Sequence, residues 1–185
     1  MVRPFEVAKT NLPDAMLITP FQATDERGGT VKAYSREVLL EHGIDFVPVE
    51  LLHITSKAGV LRGLHFQTVK PQPKLVSCVY GHIWCVLVDV RKDGQTFGTW
   101  ISQELTEESG TEIYVPAGCA FGTLALEDSM ISCQCGEKFY AEYECGIRWD
   151  DPELKIQWPL DKIQRLILSG KDINWKSFRK SVKVS

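Results

Sequence analysis

The sequence lacks the features that mark membrane and secreted proteins. Its 185 residues contain no apolar run that approaches the ~20 residues a membrane-spanning helix needs. The first six residues also lack the apolar core of a signal peptide. We therefore expect no membrane segment and a cytoplasmic location, where the 6 cysteines stay reduced and form no disulfide framework.

A strong net charge is missing as well. The 24 acidic and 21 basic residues give a formal charge of −3, which argues against a broad interface with nucleic acid. A few local Lys and Arg side chains can still hold a small anionic ligand. Residues 173–185 are locally basic, and we interpret them as a solvated C-terminal tail.

No repeat, low-complexity stretch or linker divides the chain, so residues 1–185 are interpreted as a single domain. Short apolar, β-branched runs alternate with turn residues through its middle. Residues 74–80 and 83–90 predict two strands joined by a tight turn at Gly81-His82. Further strands are predicted at 97–105, 111–115, 122–126 and 130–135.

Helical patterns are few and short. Residues 35–43 predict one helix, with Ser35 as its cap and Gly43 as its terminator, and the region after Asp161 could hold another turn or two. Because alternating βα units are absent, the sequence predicts an all-β sandwich or barrel with short peripheral helices.

The metal-ligand motifs of small β-barrels are incomplete here. Such barrels often hold a metal through Gly-x5-His-x-His and a later Pro-x-Gly-x2-His. In this chain the first motif has His65 but carries Gln67 at the position of its second histidine. The second motif has Phe121 in place of its histidine, and a phenylalanine cannot bind a metal. Cys133 and Cys135 lack the paired knuckles of a zinc site and are predicted to line one strand face. No metal site is predicted.

A series of motifs, in order along most of the chain, resembles one family, the dTDP-4-dehydrorhamnose 3,5-epimerases. The motifs are Asp25-Glu-Arg-Gly28, Val60-Leu-Arg-Gly-Leu-His-Phe-Gln67, Gln72-Pro-Lys-Leu-Val76, Val115-Pro-Ala-Gly118, Gly146-Ile-Arg-Trp-Asp-Asp-Pro152 and Leu168-Ser-Gly-Lys-Asp172. The resemblance implies a double-stranded β-helix (jelly-roll, cupin-like) barrel, a homodimer, and a nucleotide-diphosphate sugar as ligand, with no cofactor. It also implies removal of a proton beside a C4 ketone, giving an enolate that is reprotonated from the other face.

The same resemblance suggests site residues. His65 matches the base, Asp172 the carboxylate that orients it, and Lys74 the cation that stabilises the enolate oxygen. By strand periodicity Gln67 shares a face with His65, whereas Arg62 is not expected to do so. The candidate substrate-binding residues are Arg62, Arg27, Gln67, Tyr140 and Lys171.

The chain departs from the family pattern inside the site. Phe121 stands where the family has a histidine, and the strand of the family's tyrosine acid reads Ser132-Cys-Gln-Cys-Gly136, so Gln134 or a neighbouring Cys takes its place. Because an amide is a poor proton donor, the returning proton is left to water, a cysteine or Tyr140. The lost tyrosine is usually tied to the C5 step, which favours inversion at C3 alone.

Three functions are therefore compatible with the sequence. The first is an epimerase of a nucleotide-linked 4-keto-6-deoxyhexose that supplies a deoxysugar for polysaccharide. The second is a non-catalytic relative that only binds the nucleotide sugar. The third is a keto-sugar isomerase that uses the same enolate. The sequence is compatible with dTDP, CDP or GDP as the nucleotide.

Overall fold

The computed structural model describes residues 1–183, which fold mostly into antiparallel β-strands. The strands are β1 (Val2–Arg3), β2 (Glu6–Lys9), β3 (Met16–Thr19), β4 (Phe21–Asp25), β5 (Gly28–Lys32), β6 (Glu50–Ser56), β7 (Leu61–Gln67), β8 (Lys74–Tyr80), β9 (His82–Asp89), β10 (Trp100–Thr106), β11 (Glu112–Val115), β12 (Cys119–Ala125), β13 (Ser129–Cys135) and β14 (Glu144–Gly146). The helices are α1 (Arg36–Glu41), α2 (Gly170–Ile173) and α3 (Phe178–Val182), with 3-10 turns at Ala141–Tyr143 and Leu160–Lys162.

Two large sheets face each other across the main core. One has six strands in the order β2-β3-β11-β8-β13-β6, and the other has five in the order β10-β9-β12-β7-β14. Alternate residues of both sheets point inward and form one buried cluster, which includes Val76 and Ile113 from the first sheet and Leu87 and Leu105 from the second. The predicted jelly-roll barrel is therefore confirmed.

Strand β9 is apolar on both faces because both faces are covered. Leu87 packs into the core between the sheets, whereas Val86 and Val88 pack outward against a second cluster. That second cluster contains Trp158 and Phe178 from the C-terminal part of the chain, which lies across the outer face of the five-stranded sheet. A continuous apolar run is the expected signature of a strand buried on two sides.

The C-terminal segment is not the solvated tail that the sequence predicted. Phe178 is 1% exposed and Val182 is also buried, because α3 packs its apolar side onto the second cluster. Lys176, Arg179 and Lys180 point to solvent on the other side. An amphipathic turn, not a disordered basic stretch, explains the charge pattern. The last two residues, 184 and 185, lie outside the described part of the chain.

The remaining elements follow the sequence with small differences. Helix α1 begins after Ser35, although the Ser35 side chain makes no capping hydrogen bond, and Gly43 follows the helix with φ +78°. Strand β10 begins at Trp100 and not at Phe97, because Gly98 has φ +79° and forms part of a turn. No helix within residues 1–183 has the length and apolar character of a membrane span.

Candidate active site

A cavity of about 480 Å³ opens between the two large sheets. One wall comes from β7 and β12 of the five-stranded sheet, and the facing wall comes from β6, β8 and β13 of the six-stranded sheet. Helix α2 contributes to the rim with Lys171 and Asp172. The volume suits a ligand of drug or nucleotide-sugar size.

His65 and Asp172 form a hydrogen-bonded pair at this cavity. The His65 Nε2 atom lies 2.6 Å from Asp172 Oδ1, and Asp172 is 4% exposed whereas His65 is only half-buried. With Nε2–H donated to the carboxylate, Nδ1 is the ring nitrogen left to accept a proton. The predicted dyad is confirmed as a contact, which joins residues 107 positions apart.

Ser169 fixes the carboxylate, and sequence reasoning missed it. Its hydroxyl donates to Asp172 Oδ2 at 2.6 Å and accepts the Asp172 backbone N–H at 3.0 Å, as an N-cap residue of α2 does. Burial would raise the pKa of Asp172, but hydrogen bonds from His65, Ser169 and the Gly63 backbone outweigh it and lower that pKa to about 2. The carboxylate therefore stays ionised at any neutral pH. The Ser-x-x-Asp spacing was the available signal.

An irregularity in β7 turns Arg62 toward the same cavity as His65. Phe121 pairs with His65 and Thr123 with Arg62, so three steps along β7 match two along β12. A two-residue period would have placed Arg62 and His65 on opposite faces, but the extra residue resets the phase. Gly63 occupies the irregularity with φ +118°, and a Cβ there would lie 2.6 Å from the Gly122 Cα. The backbones approach so closely that only glycine fits.

Three cations line the cavity, and two of them lack a carboxylate partner within residues 1–183. Lys171 forms an ion pair with Glu144. Arg62 donates instead to the Ser56 hydroxyl at 3.1 Å and the Thr55 carbonyl at 3.2 Å, and Lys74 donates to the Gln72 side chain. Uncompensated cations at a cavity wall favour an anionic ligand such as a diphosphate.

Two predicted substrate-binding residues have other partners. The Gln67 amide donates to the carbonyls of Lys70 and Lys138 at 2.8 and 3.2 Å and accepts the Tyr140 N–H at 2.7 Å, so its polar atoms tie loops together. The Tyr140 hydroxyl accepts a bond from Lys70 at 3.0 Å, and Tyr140 is not among the residues that line the cavity.

Arg27 is not among the residues that line this cavity. It sits in the turn between β4 and β5, on the separate three-stranded sheet β1-β4-β5, and is paired with Asp25 at 2.6 Å. Its side chain is 85% exposed. Within one chain the structure therefore does not bring Arg27 to His65.

Gln134 does not line the cavity. Burial alternates along β13, and Ile131, Cys133 and Cys135 face the cavity whereas Gln134 does not line it. Of the side chains that the sequence offers in place of the family's tyrosine, the neighbouring cysteines are the ones that face the cavity. The sequence did not show which set of alternate residues of β13 faces the cavity, and a shift of one residue exchanges the two sets. Phe121 lines the cavity as expected from its place in β12.

Fold and site together define a jelly-roll protein equipped to remove a proton from a small anionic ligand. An imidazole oriented by a buried carboxylate, beside cations that lack a carboxylate partner, can take a proton while those cations hold an oxyanion or phosphate. Within residues 1–183, no group of three or more His, Cys, Asp or Glu side chains is arranged to hold a metal ion.

Comparisons with known proteins agree with this class. The family model described as dTDP-4-dehydrorhamnose 3,5-epimerase matches residues 9–180. A protein of that name from Methanothermobacter thermautotrophicus is 42% identical over 178 residues, which cover 96% of each chain. The chain therefore belongs to the dTDP-4-dehydrorhamnose 3,5-epimerase family and is an epimerase of nucleotide-sugar metabolism.

Solved structures extend the likeness to the fold. The dTDP-6-deoxy-D-glucose-3,5-epimerase of Legionella pneumophila, in complex with dTDP-4-keto-L-rhamnose, is 32% identical with a TM-score of 0.91, and 95% of this chain and 94% of that one are covered. A 3′-monoepimerase from Streptomyces bikiniensis, in complex with dTDP-quinovose, is 29% identical with a TM-score of 0.86, and 95% of this chain and 89% of that one are covered.

Proposed function

We propose that the chain inverts C3 of a dTDP-linked 4-keto-6-deoxyhexose, in the cytoplasmic synthesis of a deoxysugar for polysaccharide. The observation that carries the proposal is the 2.6 Å contact between His65 and the buried, ionised Asp172 at the wall of the cavity. The relatives' names and the sugar nucleotides bound to their structures support the choice of substrate. The free state of all six cysteines supports a reducing compartment.

The residues divide the reaction between them. His65 removes the proton from the carbon beside the ketone, and Asp172 holds the imidazole with Nδ1 free. Lys74 steadies the negative charge that moves onto the ketone oxygen. Arg62, which lines the same cavity and lacks a carboxylate partner, binds the diphosphate through its planar fork, whereas Lys171 at the rim is already paired with Glu144.

The proposal includes inversion at C3 alone, without inversion at C5. On the wall facing His65, strand β13 offers thiols, where the family pattern has a phenol tied to the C5 step.

The test is exchange of the α-proton with solvent. The protein is incubated in heavy water with dTDP-, CDP- and GDP-linked 4-keto-6-deoxyglucose, and NMR follows deuterium at C3 and C5. We expect deuterium at C3 of the dTDP sugar together with inversion, and His65→Asn should reduce exchange by on the order of 10²-fold or more. His42→Asn, which changes an exposed histidine at the C-cap of α1, is the matched control.

Three results would contradict the proposal. Exchange that survives His65→Asn would reject the base. A rise in melting temperature with dTDP, without any exchange, would select the binding-only function. A product with its carbonyl at a new carbon would select the isomerase.

A further inference from the structure

An inversion is completed by a proton that arrives on the face of the sugar opposite His65, and a side-chain donor for it must lie on the opposite wall. His65 belongs to β7 in the five-stranded sheet, and the facing wall is built from β6, β8 and β13. A base that removes a proton from one face of a carbon returns it to that same face, so inversion requires a second donor on the other side. The donor should therefore be sought on the six-stranded sheet.

On the described part of that wall, four side chains carry or accept an exchangeable proton: Glu50, Lys74, Cys133 and Cys135. Register places Glu50, Cys135 and Lys74 side by side in one row. The next row contains Leu52, Cys133 and Val76, so the Cys133 thiol stands between two apolar neighbours.

Two of the four have other tasks. Glu50 accepts the Phe139 backbone N–H at 3.1 Å, which holds the loop after β13. Lys74 donates to Gln72 and is the cation assigned to the ketone oxygen. The two thiols are left as candidates.

Cys133 and Cys135 act as a pair. Their sulfurs lie 3.8 Å apart, and the residues are 6% and 2% exposed. A hydrogen bond to Cys135, together with burial, raises the pKa of Cys133 well above its usual 9.0. The hydrogen bond from Cys133, with Lys74 nearby, lowers the pKa of Cys135 to about 7. Near neutral pH the proton of the pair therefore stays on Cys133.

The other cavity-lining thiol does not fit the role. Cys119 lies on β12, in the same sheet as His65, and so faces the same side of a bound sugar. Burial raises the pKa of Cys119 to about 12, and none of the described cysteines forms a second such pair.

We propose that the Cys133 thiol is the catalytic acid that protonates the enolate on the face opposite His65, with Cys135 as its positioning residue. The inference rests on the proposed function. His65 takes the α-proton and becomes an imidazolium, while the C–H electron pair moves into the enolate. The enolate carbon then forms its new bond to the proton of the Cys133 S–H, whose electron pair stays on sulfur as a thiolate. The imidazolium then releases one proton to solvent and the thiolate takes one up, which restores neutral His65 and the Cys133 thiol.

The test separates proton exchange from inversion in heavy water with the dTDP ketosugar. In Cys133→Ser we expect inversion to fall by on the order of 10²-fold, while His65 still washes deuterium into recovered substrate of unchanged configuration. Cys133→Ala should behave in the same way and covers the case in which the serine variant does not fold. Cys145→Ser, whose sulfur lies outside the cavity, is the matched thiol control and should retain full inversion.

Cys135→Ser tests the positioning role. Inversion should remain measurable, but its dependence on pH around 7 should change, because the group that titrates there is gone. An unaltered pH profile would overturn this part of the proposal.

Each contrary result has a distinct meaning. Wild-type inversion in either Cys133 variant would overturn the thiol acid and leave the function intact. Loss of both exchange and inversion, in a variant whose melting temperature still rises with dTDP, would also overturn it, because the His65 half-reaction needs no thiol. Exchange that persists in His65→Asn would instead overturn the proposed function.

Discussion

Buried carboxylates in this protein differ in how many hydrogen bonds stabilise their charged form. Burial would raise the pKa of Asp89, but hydrogen bonds from Arg91 and Thr96 outweigh it and lower that pKa. Glu112, on β11, is 1% exposed and has an Oε2 atom without a hydrogen-bond partner in the described chain. Burial raises the pKa of Glu112 to about 8, and a hydrogen bond with Ser77 offsets only part of this.

Replacement of this single carboxyl should change how stability depends on pH. Since the folded-state pKa lies above the ordinary 4.5, protonated Glu112 favours the fold below about pH 4.5, and that contribution is lost as pH rises through about 8. As pH rises, the free energy of unfolding of Glu112→Gln should therefore increase relative to that of the wild type, by up to ~1.4 kcal/mol per unit of pKa shift. Melting curves between pH 4.5 and 9 check this, with Glu127→Gln on the surface as control. Parallel curves for wild type and Glu112→Gln would contradict the assignment.

The site residues show which contacts a sequence can reveal. His65 and Asp172 are 107 residues apart, and no periodicity connects them, so only the motif resemblance predicted their contact. Gln134 failed as a candidate because a one-residue phase along β13 decides which side chains face the cavity. Gln67 does share the inward face with His65, but its partners come from loops whose paths depend on tertiary packing.

At the scale of elements, alternation and turn signals placed β8, β9 and β13 within a residue or two. The irregularity in β7 could not be predicted from the sequence. It arises where Gly63 contacts Gly122 of β12, and the residue pattern of one strand does not show its contact with another. The packing of α3 was missed for a related reason. Its apolar side chains are buried only by packing against the outer face of the five-stranded sheet, and the local sequence does not show that contact.

A methyl group at the irregularity should disturb both neighbouring site residues. Gly63→Ala would place Cβ 2.6 Å from the Gly122 Cα at a φ of +118°, so β7 must shift. We expect a loss of more than ~1 kcal/mol in unfolding free energy, and a fall in turnover as Arg62 and His65 move apart. Chemical denaturation and steady-state kinetics measure the two effects.

Gly170→Ala provides the matched control for stability, since an added methyl there meets open space. If Gly63→Ala were as stable and as active as the wild type, the close approach of β7 to β12 would not hold the site.

At the scale of the whole molecule, the small sheet β1-β4-β5 remains outside the barrel with its surface open. All of β5 is exposed, and the apolar Val2 and Val31 are uncovered. If the chain forms the homodimer that the sequence resemblance implies, we expect the second copy to cover this sheet and Arg27 of one copy to reach the cavity of the other. Two exposed valines on an uncovered sheet are suited to such a symmetric contact.

Mixing of two damaged subunits tests this arrangement. Arg27→Ala and His65→Asn should each have low activity alone, but statistical mixing should restore about one quarter of the wild-type rate, because half of the dimers contain one intact site. Light scattering establishes the dimer, and native mass spectrometry counts the mixed species. Mixed dimers without restored activity would confine Arg27 to its own chain, and a monomer would reject the assembly.

The position of Asp172 has a consequence for how the protein is made. A ribosome has placed His65 in a growing chain long before it reaches the carboxylate 107 residues later, and α2 and its Ser169 cap arrive together with that carboxylate. Polypeptides released early therefore contain a base without its orienting partner. The dyad can therefore form only after residue 172 has been synthesised, and a chain that stops before Ser169 should not catalyse proton abstraction.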